Sequence, residues 1–288
     1  MIDATIAFIG GGNMARSLIG GLTAAGTNPA RIWVVDPDTA KLEGLASQFN
    51  INTTQDNATA AAEAEVILLA VKPQAIHQAA DSLVDVVTQR RPLVISIAAG
   101  IRELDLRRWF GEGTALVRTM PNTPALVQSG ATALYANPAV SESQRELAES
   151  IMRAVGMTVW VDDEAEMDAV TAVSGSGPAY FLLVMEAMEE AAVAQGLSPE
   201  TAHLLVLETA FGSAKNSDHL VLSHCPTVRD SQDTVPLGAQ IHTGKIIRFA
   251  IWVADQVAPG TDHDDLRKTF EDASKVFLFG HLHEQLAE

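Results

Sequence analysis

Thr5-Ile6-Ala7-Phe8-Ile9-Gly10-Gly11-Gly12-Asn13-Met14-Ala15 decides how the rest of the chain is read. Its apolar first half has the pattern of a short buried strand. From Met14 onward, Leu18, Ile19, Leu22 and Ala25 recur at helical spacing until Gly26 ends the pattern. The spacing between strand and helix is Gly10-x-Gly12-x-x-Ala15, the fingerprint of a dinucleotide-binding strand–turn–helix with alanine at its third position. Gly10 permits the tight turn, Gly12 lets backbone approach a pyrophosphate, and Ala15 lets helix and strand pack closely. The phosphates would rest on the amides opening the helix, where the dipole favours an anion. An ordinary tight strand–helix turn has the same glycines, so the alternation that follows carries the nucleotide reading.

That alternation is sustained. Ile32 to Val35 reads as a second strand closed by Asp36-Pro37, and Asp36 lies 24 residues after Gly12. A dinucleotide fold places an acid there against the adenosine ribose hydroxyls, although a turn aspartate on the surface has the same spacing. A carboxylate at that place repels a 2′-phosphate, which leans the reading to NADH; Lys41 is close enough to blunt that argument. A helix is expected over Thr39 to Phe49 and a short third strand over Ile51 to Thr53. Val66 to Val71 is apolar throughout, as a strand buried on both faces should be, and stops at Lys72-Pro73. Leu93 to Ile97 is followed by Ala98-Ala99-Gly100, small enough for a flat ring to lie against backbone, or simply closely packed. Leu116 to Met120 ends in Pro121-Asn122-Thr123-Pro124. Further strands over Gly130 to Asn137 and Met157 to Val161 flank a helix from Ser141 to Val155.

A second motif, Ser174-Gly175-Ser176-Gly177-Pro178, follows Asp168 to Val173. It reads as a helix start, with Ser176 or Gly177 as cap and Pro178 at the first helical position. Such a start can hold a carboxylate or a phosphate, or merely cap the helix. The helix expected from Pro178 to about Gln195 is mostly apolar, and another is expected from Ser198-Pro199-Glu200 to about Lys215.

With 288 residues, two domains are expected rather than one core. The 36 acidic against 19 basic residues, a net charge of -17, argue against nucleic acid or an anionic membrane as partner. No apolar run approaches the roughly 18 residues of a membrane span. The single cysteine, Cys225, fits a reducing compartment. The start of the chain lacks the basic and apolar regions of a signal peptide, so a cytoplasmic protein is expected. His219, His224 and Cys225 form no zinc pattern, and no metal is expected.

Taken together, Phe8 to Ala15, Ala70-Val71-Lys72-Pro73-Gln74, Ile97 to Gly100, Met120 to Pro124 and Asp168 to Tyr180 resemble the Δ1-pyrroline-5-carboxylate reductases, which complete proline synthesis. The resemblance covers residues 1 to about 215. It implies an α/β fold in which a Rossmann-type dinucleotide-binding domain, 1–162, precedes an all-helical dimerisation domain, 163–288. It also implies a homodimer or higher homo-oligomer, with an active site completed by the partner subunit. The implied reaction is hydride transfer from NAD(P)H to the imine carbon of the small-molecule substrate pyrroline-5-carboxylate. Ile9, Gly10, Gly11, Gly12, Asn13, Met14 and Ala15 would hold the pyrophosphate, and Asp36 and Asn57 the adenosine half. Ala70, Val71, Lys72 and Pro73 with Ile97, Ala98 and Ala99 would hold the nicotinamide half. Glu164, Ser174, Gly175, Ser176 and Gly177 would line the substrate pocket; Asn122 would orient the substrate or cap a turn.

Residues 216–243 depart from the family pattern and show no helical period. The family's Thr/Ser-Ser-Pro-Gly-Gly-x-Thr stretch corresponds here to Thr234-Val235-Pro236-Leu237-Gly238-Ala239-Gln240. Thr234 and Gln240 are the expected catalytic positions, with Gln240 where a threonine hydroxyl would meet the ring nitrogen. Two rival readings follow. A β-hydroxyacid dehydrogenase of the same fold would need a lysine between Ala165 and Ala214, where there is none. A nucleotide-binding homologue without turnover is the other, should the altered loop have lost its chemistry.

Overall fold

The structure is a computed structural model that describes residues 2–215. Strands β1 (Ile6–Ile9), β2 (Ile32–Val35), β3 (Asn52–Thr54), β4 (Val66–Leu69), β5 (Leu93–Ser96), β6 (Leu116–Met120), β7 (Gly130–Ala136) and β8 (Gly156–Trp160) form one sheet. Their order is β3-β2-β1-β4-β5-β6-β7-β8. The first six strands run parallel in the doubly wound order 3-2-1-4-5-6. β7 turns back antiparallel to β6, pairing Arg118 with Tyr135, and β8 runs parallel to β7.

Alternation along the strands divides the core between the two faces. Phe8, Leu68, Ile95 and Val117 point to one side, where helices α1 (Asn13–Ala24), α2 (Thr39–Phe49) and α7 (Glu142–Arg153) cover them with Leu18, Leu45 and Ile151. Ile9, Leu69, Val94 and Leu116 point to the other, beneath α3 (Asn57–Ala61), α4 (Pro73–Asp81), α5 (Val84–Arg90) and α6 (Glu103–Phe110). Each such fully buried side chain contributes about 1.5–3 kcal/mol. α1 meets the end of α7 backbone to backbone: a β-carbon on Gly21 would collide with the Ala154 carbonyl oxygen. Asp38 caps α2 through the Lys41 amide, and Ser141 with Gln144 forms a capping box on α7.

β4 and β5 are shorter than their apolar runs. β4 ends at Leu69 because Pro73 starts α4, so Ala70 to Lys72 form the connection. The region after β8 also differs from expectation. Helix α8 (Glu166–Val170) continues into a π turn over Thr171–Gly175 and then into α9 (Gly177–Ala194). Ser174-Gly175-Ser176-Gly177 is therefore not a helix start. Ser176 has right-handed helical angles rather than the extended angles of a cap. Proline explains the irregularity: Pro178 has no N–H to donate to the Ser174 carbonyl four residues back. The turn widens instead, with the Ser176 amide donating to the Thr171 carbonyl at 2.9 Å.

Contacts group Met1–Ala179 as one compact unit and assign the described residues from Tyr180 onward to a second. α8 and the π turn belong with the sheet because they pack on β7 and on the end of β6. In the second unit, α10 (Pro199–Lys215) follows α9, and His203 pairs with Glu189 of α9 at 2.9 Å. Among the described residues no helix is long and apolar enough to cross a membrane. Thr234 and Gln240, and the altered stretch around them, lie outside the described residues.

Candidate functional site

The carboxyl ends of β1, β2, β4 and β5 converge where the strand order reverses, the place at which open α/β sheets take ligands. The glycine turn sits there. The Gly10 amide donates to the Val35 carbonyl at 2.8 Å, and the Ala70 amide to the Ile9 carbonyl at 2.8 Å. Gly10 has φ +107°, and a β-carbon there would lie 2.7 Å from the Ala70 carbonyl oxygen. Both facts demand glycine. Gly12 is different: a β-carbon would meet nothing within 4 Å. Its α-carbon faces open space at the mouth of α1, as a close approach to a bound group requires.

Gly12 precedes α1 without any side-chain cap, and its carbonyl accepts the Arg16 amide at 2.9 Å. The amides of Asn13, Met14 and Ala15 are thus uncommitted by the helix and point out of its positive end. Ala15 is fully buried against the core, as the fingerprint requires. Open backbone at Gly12 and a bare helix N-terminus at the switch point form a donor set suited to a pyrophosphate.

Asp36 is buried at the end of β2, and its carboxylate is fully engaged. Oδ2 accepts the Gly11 amide at 2.9 Å and Lys41 Nζ at 2.8 Å; Oδ1 accepts the Asp38 amide at 3.0 Å and Lys41 Nζ at 2.9 Å. Burial resists its charge, but the Lys41 bond, the two amides and the Lys41 charge outweigh it, holding the carboxyl below its ordinary value. Asn57 opens α3 and donates from Nδ2 to Ser82 Oγ at 2.8 Å. Ala70 and Val71 follow β4, Lys72 and Pro73 open α4, and Ile97, Ala98 and Ala99 follow β5. The Ile97 amide is held by the Leu69 carbonyl at 3.2 Å and that of Ala98 by Ser96 Oγ at 3.3 Å.

The expected substrate residues fall into two groups. Asn122, buried beyond the end of β6, accepts the Ala131 amide at 2.9 Å through Oδ1. Its Nδ2 donates to the Ser174 carbonyl at 3.2 Å and to Ser174 Oγ at 3.3 Å. It therefore meets the carbonyl that Pro178 leaves without a helical donor. Gly175 lies beside it, with a β-carbon position 2.5 Å from Met120 Cε. Glu164 belongs to the other group: its Oε1 accepts the Glu103 amide at 2.6 Å and pairs with Arg118. Arg118 was not singled out from the sequence. A lone cation in the apolar strand Leu116-Val117-Arg118-Thr119-Met120 is the signal, because a buried charge must be paired. The cluster also acts on Tyr135, whose phenol is pushed up by burial and by Glu164, Glu103 and Asp163.

Sheet order, glycine turn and switch-point edge define a dinucleotide-binding oxidoreductase fold. Comparison with known proteins makes this specific. Residues 5–100 match a family described as NADP oxidoreductase coenzyme F420-dependent, and residues 164–243 one described as pyrroline-5-carboxylate reductase dimerisation. The second match takes in Thr234 to His242. The chain is 50% identical over 215 residues to the pyrroline-5-carboxylate reductase of Pseudomonas aeruginosa, covering 75% of this chain and 78% of that protein. The solved structure of a pyrroline-5-carboxylate reductase from Coxiella burnetii superposes with TM-score 0.73 at 38% identity, over 99% of this chain and 93% of the other. That of Plasmodium falciparum pyrroline carboxylate reductase, with NADP bound, gives TM-score 0.68 at 24% identity over 99% and 96%, a likeness of fold. The chain belongs to the pyrroline-5-carboxylate reductase family.

Proposed function

We propose that this protein reduces 1-pyrroline-5-carboxylate to L-proline with a reduced nicotinamide dinucleotide. The observation that carries the reading is the 50% identity to the P. aeruginosa reductase across three quarters of the chain. When bound, the nucleotide supplies the hydride that reduces the imine carbon, and the ring nitrogen takes a proton. The chain's own part is to bind and orient. The α1 amides and Gly12 hold phosphate, while Ala70 to Pro73 and Ile97 to Ala99 flank the reactive half. Asn122 fixes the π turn of Ser174 and Gly175, which with Ser176 and Gly177 takes the substrate side of the site. Glu164, the other residue expected on the substrate side, has its carboxylate held by Arg118 and the Glu103 amide.

The protein acts as a homodimer or larger homo-oligomer in the reducing cytoplasm. Phe181 and Leu182 of α9 and Leu204, Leu205 and Phe211 of α10 are exposed, an apolar surface that a second copy would cover. A pyrroline-5-carboxylate-dependent oxidation assay with NADH and NADPH tests the reaction. Weak but measurable proline formation is expected, because an amide at Gln240 relays a proton poorly. Loss of a positioned proton donor costs about 10²–10⁴-fold. Leu237→Gly with Gln240→Thr should raise the rate with little change in nucleotide affinity. Nucleotide binding without turnover in both proteins would instead favour a binding homologue. The expected leaning to NADH needed Asp36 to accept ribose hydroxyls, and its carboxylate is engaged instead by the Gly11 and Asp38 amides and by Lys41.

A further inference from the structure

A carboxylate offers about four acceptor positions, two on each oxygen. Asp36 has all four taken: the Gly11 and Asp38 amides and two bonds from Lys41. It is buried, while the side chain of Lys41 is 40% exposed and closes over it. The Lys41 stem also runs along the glycine turn, its Cδ 3.4 Å from the β-carbon position of Gly11. An ammonium has three N–H donors, of which Asp36 takes two. Among the described residues the third has no partner. Asp38, the other acid of this turn, already accepts the Lys41 amide as the cap of α2. Arg31 sits at the opposite end of β2, tied to the Asp3 carboxylate and carbonyl.

We propose that Lys41, and not Asp36, decides which nucleotide this protein takes: Lys41 receives the 2′-phosphate of NADPH, while Asp36 braces the glycine turn from beneath. The proposal rests on the nucleotide-dependent reading above and names the specificity residue within it. Lys41 bridges Asp36 and the phosphate without leaving either, so NADPH binds at least as tightly as NADH. The repulsion expected of a free aspartate is cancelled by the ion pair.

The test is titration of full-length protein with NADPH and with NADH, by calorimetry, for the native chain and for Lys41→Met, Lys41→Arg and Arg31→Met. Lys41→Met should weaken NADPH about tenfold or more, the worth of one charge-assisted contact, and leave NADH within about threefold. Lys41→Arg should keep the native ratio, as should Arg31→Met. NADPH affinity should fall more steeply than NADH affinity as salt is raised. Equal weakening of both nucleotides by Lys41→Met, no weakening of either, or a native preference for NADH would overturn the proposal. Native protein that binds neither nucleotide overturns the underlying reading as well. Thermal denaturation of each variant shows that a lost affinity is not a lost fold.

Discussion

The turn at Gly10–Ala15 and the stretch at Ser174–Gly177 have similar sequences, and both read as glycine-rich helix starts. The first is one; the second lies inside a helical run that began eight residues earlier, at Glu166. What separates them is the element before. Ile6 to Ile9 enters the first turn as a strand, so the chain must reverse and leave helix amides bare. Glu166 to Val173 enters the second as helix, so the same small residues absorb a proline instead of opening a new terminus. A glycine-rich motif acquires meaning from the direction in which the chain arrives.

Alanine or valine at single glycines breaks or sharpens this contrast. Gly10→Ala should be the most damaging, because the backbone there is left-handed and the methyl would strike the Ala70 carbonyl. A loss of about 3 kcal/mol or more in urea denaturation is expected, from strain of about 1–3 kcal/mol plus the clash. Gly12→Val should leave urea stability nearly intact, since its side chain enters open space, yet lower nucleotide affinity beyond about 100-fold by blocking the phosphate approach. Unchanged affinity in a folded Gly12→Val protein would remove the glycine turn from the site.

At the second stretch the effects should be smaller. Asn122→Ala strips the Ser174 carbonyl and the Ala131 amide of their partner, which should cost about 1–3 kcal/mol. It should raise KM for the imine while nucleotide affinity stays constant; equal changes in both would mean that Asn122 serves the fold alone. Gly175→Ala should cost about 1 kcal/mol or less, because only the flexible end of Met120 stands in the way. A loss as large as that of Gly10→Ala would show that the π turn is as rigid as the nucleotide turn. Smallest of all should be the acid dependence of Asp36. Its folded pKa is depressed, so its stabilisation is complete above about pH 4 and fades as pH falls through the folded value. The stability difference between native protein and Asp36→Asn should therefore shrink on acidification, read from urea midpoints across that range.

The parallel strands are legible because their apolar runs are buried on both faces, and α2 because Asp38 announces its start. The edges of β4 and β5 are less so: apolar residues continue past the last ladder bond into the ligand crevice, where hydrophobicity no longer reports a strand. α3 and α5 are too short for a helical period to register. In the site, Gly10, Gly12 and Ala15 are read from spacing alone, since each is required by local backbone geometry. Lys41, five residues from Asp36, is legible as its neighbour; the partners of Glu164 and Asn122 are not, because Arg118 and Ser174 reach them through the tertiary fold. Pro178 carried the clue to the π turn, through the hydrogen bond it cannot make.

The contact of Gly21 with the Ala154 carbonyl constrains the order in which the chain can assemble. Residues so far apart meet backbone to backbone, so α1 cannot reach its final seat on a ribosome-bound chain until α7 has emerged. Closing that long loop costs entropy that must be spent before the α1–α7 contact returns any stability. The amides of α1 and α7 should then exchange with deuterium together, as a single protected block.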